Sequence, residues 1–187
     1  LSHMEIALNR AGQLDTQGLP ICKQSRIRNA NTAEAIAACG SALVGSGGFT
    51  VRTNLPDQET TVTPGEVLLF NGRSHGHTTI LAHAFQTEPV PIERVFVFDV
   101  RHAHGTYGTV VSAEVPTGLS RHGYLNSIYL QLGRAYSYRG KRRSYLSASC
   151  AAPAGFNQAL FPFAHASMSF DDGRTLSSTI SRTCRVR

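Results

Sequence analysis

A basic cluster near the C-terminal end of the chain has the residue types of an anion-binding site. It reads SYRGKRRSYL over residues 137–146, and the side chains with binding chemistry are Tyr138, Arg139, Lys141, Arg142, Arg143 and Tyr145. Arginine and lysine bind phosphate or sulfate groups, and tyrosine rings add stacking or hydrogen bonds. The sequence therefore predicts a polyanion-binding site. The residues also fit the solvated turn of a β-hairpin, in which Gly140 permits a positive φ and the charges protect an edge from aggregation, and the two interpretations do not exclude each other.

The charge distribution favours an anionic partner. The net charge is +6, but residues 1–115 carry eight basic against ten acidic residues, whereas residues 116–187 carry ten against two. Such asymmetry is typical of chains that bind nucleic acid, anionic lipid or a cell-wall polymer, although it also serves solubility alone. No helix-turn-helix, zinc-finger or RRM signature is present, so specific nucleic-acid recognition is not expected.

Two His-x-His pairs suggest a different chemistry. They are His75 with His77 and His102 with His104. On a strand, the two-residue period places both rings of a pair on one face, and two pairs, or one pair with His83, have the ligands for a zinc ion with an open coordination position. The alternative function is therefore a metal-dependent hydrolase. The pattern is loose and both pairs lie in glycine-containing segments, so the first expectation is a protein without metal or cofactor.

Other catalytic motifs are missing from the sequence. There is no G-x-S-x-G elbow, and GSGGF at residues 45–49 lacks the full dinucleotide or P-loop pattern. No two carboxylates are paired by their spacing as a glycosidase requires. Tryptophan is absent, so a carbohydrate site would have to rely on tyrosine. We expect no catalytic residues, and a binding module rather than an enzyme.

The elements that position these residues are mostly strands. Short β-branched or aromatic runs alternate with turn residues, which predicts one all-β domain, an antiparallel sandwich of roughly nine or ten strands. One short helix is expected near residues 32–39, where Asn31 and Glu34 form a capping box and Gly40 follows. Residues 150–165 are expected to be irregular and to pack as a plug on one end. LSHM at residues 1–4 is typical of an expression-tag remnant, which leaves 5–187 as the domain.

Four cysteines indicate the compartment. Cys22, Cys39, Cys150 and Cys184 contain no C-x-x-C spacing, so two disulfides in an oxidising compartment are favoured over a metal site. Of the three possible pairings we favour Cys22–Cys39 and Cys150–Cys184, because each closes a modest local loop. The alternative is four reduced, buried cysteines in a cytosolic protein. No apolar run approaches the ~20 residues that span a membrane.

Several long strings resemble a known set of proteins. They are YSYRGKRRSYLSASCAAP, LFPFAHASMSFDDGRTLSSTISRTCRVR, EIALNRAGQLDTQGLPIC, ACGSALVGSGGF and HGTYGTVVSAEVP. They are similar to exported, β-rich actinobacterial proteins of unknown function. The resemblance implies export, paired cysteines and a β-rich domain, but no catalytic residue and no known ligand. The expected function is that of an exported, non-enzymatic domain that binds an anionic cell-envelope polymer or surface through its basic C-terminal patch.

Overall fold

The fold is seen in a computed structural model, which describes residues 1–54, 56–57, 59–116, 123–150 and 152–185. The strands of this part are β1 (His3–Asn9), β2 (Gly12–Leu14), β3 (Leu43–Thr53), β4 (Thr61–Ser74), β5 (His77–Gln86), β6 (Ile92–His102), β7 (Tyr107–Glu114), β8 (Gly123–Leu132), β9 (Ala135–Tyr138), β10 (Lys141–Ser144), β11 (Leu146–Ala148), β12 (Gln158–Ser169) and β13 (Thr175–Arg185). The helix is α1 (Thr32–Cys39), and short 3-10 turns cover Gln24–Arg26 and Gly40–Ala42.

Nine strands form one curled antiparallel sheet in the order β13-β12-β1-β7-β6-β5-β4-β3-β8. Two small sheets accompany it, β9 with β10 and β2 with β11. The predicted antiparallel all-β class and the short helix at 32–39 are confirmed. The prediction of an irregular segment over residues 150–165 is wrong for residues 158–165, because β12 begins at Gln158.

The main sheet is buried on both faces at its centre, which explains its continuous apolar run in β4. Val67 and Leu69 face one core, and Leu68 and Phe70 face the other, as the two-residue period of a strand requires. The first core collects apolar side chains from most of the sheet. Tyr145, which directly precedes β11, is also buried in that core, so the segment after β10 packs against the sheet.

The second core lies under α1. Asn31 accepts a hydrogen bond from the Glu34 N–H at 3.0 Å, and the Glu34 carboxylate accepts one from the Asn31 N–H at 2.8 Å, so the capping box is present. Gly40 ends the helix with a right-handed helical φ of −57°, because the chain continues into the 3-10 turn. The Cys22–Cys39 disulfide and Ile27 pack beneath this helix against β4 and β5.

The sheet includes residues that precede Glu5. β1 begins at His3, Met4 is buried in the first core, and the Ser2 N–H donates to the Ser169 carbonyl at 2.8 Å. The tag interpretation of residues 1–4 stays a prediction. In the structure, these residues take part in the fold together with the rest of β1.

Candidate functional site

The basic cluster forms a tight β-hairpin. β9 and β10 pair with Tyr138 opposite Lys141 and with Tyr136 opposite Arg143, which leaves Arg139 and Gly140 as a two-residue turn. Both turn residues have positive φ, +50° and +74°, as a type I′ hairpin turn requires. A non-glycine residue seldom adopts this conformation, so Gly140 lowers the cost of the turn. The predicted hairpin is therefore present, and its short turn fixes the backbone positions of the charged residues.

Three of the cluster's cations lie at the tip of the hairpin and are exposed. We call Arg139, Lys141 and Arg142 the tip cations. Among the described residues, the ion pairs of the structure include none of the three. The guanidinium carbon of Arg139 lies 5.3 Å from the centre of the Tyr138 ring, within the range of a cation–π contact. The tip therefore presents three positive charges that can accept an anionic ligand.

The fourth cation, Arg143, has a structural partner. Its Nη1 donates to Oδ2 of Asp15 at 2.6 Å, and about 30% of each side chain is exposed. Burial alone would raise the pKa of the Asp15 carboxyl, but the bonds from the Gln17 N–H and from Arg143 hold it below its ordinary value. The hydrogen bond to Asp15 raises the pKa of Arg143. This ion pair fixes the base of the hairpin to the segment that follows β2.

Tyr138 connects the tip to that base. The guanidinium carbons of Arg139 and Arg143 lie 5.3 Å and 5.6 Å from the centre of its ring. The ring also packs against Gly18, where a Cβ would overlap the ring atoms and where φ is +81°. Tyr138 therefore contacts one tip cation, Arg139, and the base cation Arg143, and its half-buried side chain is only partly open to a ligand.

Tyr145 is not part of the binding surface. It is 0% exposed in the first core, and burial raises the pKa of its hydroxyl. Within the described residues, that hydroxyl has no hydrogen-bond partner. The expected role of Tyr145 as a ligand contact needs correction, because no polymer can reach the side chain.

Sequence reasoning missed Asp15 as part of this site. Asp15 lies 128 residues before Arg143, and nothing in its local sequence indicates that the two meet. The Asp15 carbonyl also accepts a hydrogen bond from the Tyr136 hydroxyl at 3.1 Å. Burial, and then the negative charge of Asp15, raise the pKa of Tyr136. Asp15 thus organises the base of the hairpin through both its side chain and its backbone.

The paired histidines lie in and beside two turns. His75, with φ +46°, is in the turn between β4 and β5, and His77 begins β5. His102 ends β6, and His104 lies in the loop before β7. In the part of the chain that the structure describes, no group of three or more His, Cys, Asp or Glu residues is placed to hold a metal ion. The structure therefore does not assemble the four histidines into the proposed zinc site.

His83 has a role in packing. It is 1% exposed, and its Nε2 donates to the Ala30 carbonyl at 2.8 Å. This bond joins β5 to the segment that leads into α1. His83 is therefore a core residue that supports the helix, rather than a ligand for the neighbouring pairs.

Both predicted disulfides are present. Cys22 is joined to Cys39 and Cys150 to Cys184, with Cα–Cα distances of 5.5 Å in each case. Paired cysteines are typical of proteins in oxidising compartments. Among the described residues, no helix is long and apolar enough to cross a membrane.

Comparisons with protein-family models, curated proteins and solved structures give no match to this chain. The candidate site therefore rests on the chain's own residues.

Proposed function

We propose that this chain is an exported, non-enzymatic domain whose tip cations bind an anionic polymer or surface of the cell envelope. The observation that carries the proposal is the contrast within one hairpin: Arg139, Lys141 and Arg142 are exposed at the tip, whereas the Arg143–Asp15 ion pair holds the base. Phosphate and sulfate groups are the ligands that such cations bind best. The alternative hydrolase has no comparable support, because its histidines are not gathered around a metal position.

The geometry favours binding at a low entropic cost. The turn is short, and the Tyr138 ring contacts Arg139, Arg143 and Gly18. Ordering flexible groups on binding costs free energy, and a backbone fixed in a short turn, with Arg139 held at Tyr138, reduces that cost. Because the cations are exposed, their attraction to a polyanion is screened by salt.

Two features support export. The disulfides fit an oxidising compartment, and the resemblance of the long sequence strings points to exported actinobacterial proteins. For an exported protein, we propose an anionic polymer of the cell envelope as the ligand. The polymer's identity and the export are part of the proposal.

The test is retention on heparin and on immobilised teichoic acid in a rising salt gradient. The test variant is Arg139→Ala/Lys141→Ala/Arg142→Ala. The matched control is Lys23→Ala/Arg26→Ala/Arg28→Ala, which removes three exposed charges from a different segment. We expect the tip variant to elute at a distinctly lower salt concentration on both resins, and the control to elute near the wild type.

Equal shifts for the two variants would mean that only net charge matters, and the tip would lose its role. An unchanged elution of the tip variant would also reject the proposal. Circular dichroism and intact mass under non-reducing conditions establish that each variant keeps its fold and both disulfides.

A further inference from the structure

A groove that differs in charge from the basic hairpin lies between α1 and β8. It has a volume of about 500 Å³, and residues of α1, β3, β4 and β8 line it. It lies on the sheet face that packs beneath the helix, because Leu68, two residues after Glu66 on β4, belongs to the second core. The described lining contains no arginine or lysine, so this groove differs from the basic hairpin in the ligand that it can accept.

An aromatic ring forms one side of the groove. Tyr129 of β8 is directly opposite Gly48 of β3, so both face the same side of the sheet. A Cβ at Gly48 would lie 2.8 Å from Cε1 and 3.2 Å from the hydroxyl of Tyr129, which shows that the ring lies across the glycine. The side chain is nevertheless 71% exposed. One part of the ring therefore rests on the backbone, and the rest is open to a ligand.

Polar groups surround this ring. Glu66 of β4 is opposite Gly48 on the other side, on the same face as Tyr129. Its exposed carboxylate forms no ion pair with another described residue. Thr50 and Ser127 share a hydrogen bond of 2.7 Å at one end of the groove, and the Asn126 amide donates to the Thr50 hydroxyl at 3.1 Å. These groups accept and donate hydrogen bonds beside an apolar surface.

We propose that this groove binds a neutral oligosaccharide, with one pyranose ring packed against Tyr129 and its hydroxyl groups donating to Glu66. The C–H face of a pyranose buries apolar surface against an aromatic ring, and its rim supplies hydrogen-bond donors for a carboxylate. Glu66 would repel an anionic polymer, so the two sites select different ligands. Glu66 is also the one carboxylate in the described lining, whereas glycoside hydrolysis commonly needs two. This lining therefore favours binding of a sugar chain over its cleavage.

The experiment is a calorimetric titration of the whole protein with cellohexaose and with N-acetylglucosamine hexamer, while amide NMR shifts map the contact. We expect saturable binding and shifts centred on Gly48, Glu66 and Tyr129. Tyr129→Ala should weaken binding by about ten-fold, as loss of a stacking ring implies. Tyr129→Phe should bind like the wild type. Glu66→Gln should weaken binding by a smaller factor.

The matched control is Tyr124→Ala, because Tyr124 is a 52% exposed tyrosine on the same strand and does not line the groove. It should bind like the wild type. The proposal is overturned by an absence of shifts up to about 10 mM sugar, where even a millimolar site is largely occupied. It is also overturned by shifts away from the groove, or by equal affinities of Tyr129→Ala and the wild type. The groove does not depend on the tip cations, so the triple tip variant should keep its affinity for these sugars.

Discussion

The base and the tip of the β9–β10 hairpin use the same residue types for different purposes. At the base, Arg143 is paired with Asp15, and Tyr145 is buried in the first core. At the tip, Arg139, Lys141 and Arg142 are exposed. A paired cation has much of its charge satisfied within the fold, whereas an exposed one can exchange water and small counterions for a ligand. Only part of a basic sequence cluster is therefore available for binding.

The largest effect should come from the base. We expect Tyr145→Ala to lower the free energy of unfolding by about 3–5 kcal/mol, because removal of a fully buried aromatic side chain leaves a cavity. Chemical denaturation measures this difference. The same substitution at Tyr138, which is half-buried, should cost distinctly less. If the two substitutions lower the free energy of unfolding equally, Tyr145 does not have the core role that separates it from the tip.

A smaller effect is expected from the adjacent arginines, which form a matched pair. Arg143→Ala removes the partner of Asp15 and the contact with the Tyr138 ring, so we expect Tm to fall by a few degrees. Arg142→Ala removes an exposed charge, and Tm should change little. Differential scanning calorimetry compares the two. Equal Tm values for the two variants would contradict the claim that the base contributes more to stability than the tip does.

The pH dependence of stability offers a finer test of the base. The pKa of Asp15 is lowered in the folded state, so its ion pair contributes stability above the ordinary carboxyl pKa, and this contribution is lost as pH falls through the lowered value. We expect Asp15→Asn to be less stable than the wild type at neutral pH. The difference should shrink under acid conditions, when the wild-type carboxyl is protonated. Thermal melts across this acid range measure it, and a difference that does not vary with pH would contradict the role of the charge.

Local signals in the sequence predicted much of this architecture. Gly140 and the flanking alternation located the hairpin turn, Asn31 and Glu34 located the helix start, and the short loops between cysteines favoured the two disulfides. Each of these features depends on neighbouring residues or on a short loop. A single sequence carries enough information for them.

Local sequence signals do not predict long-range packing. The partnership of Arg143 with Asp15 and the burial of Tyr145 depend on which segments fold over the hairpin, and no periodicity reports that. Residues 158–165 were expected to be part of the irregular segment at 150–165, but they belong to β12. In the structure, Pro162 lies opposite Ser181 of β13, in a stretch of β12 that does not pair with β1. A proline is tolerated there because its missing N–H removes no bond on the open side.

The most direct test of the central claim is the affinity of Arg142→Ala and Arg143→Ala for a heparin octasaccharide. Calorimetry at a temperature well below both Tm values ensures that both variants are folded. Each variant removes one positive charge, so net charge is matched. We expect Arg142→Ala to bind about five-fold more weakly than the wild type, as the loss of one exposed cation implies. Arg143→Ala should lose clearly less affinity. Equal losses, or a greater loss in Arg143→Ala, would contradict the claim that the tip binds the polymer while the base holds the fold.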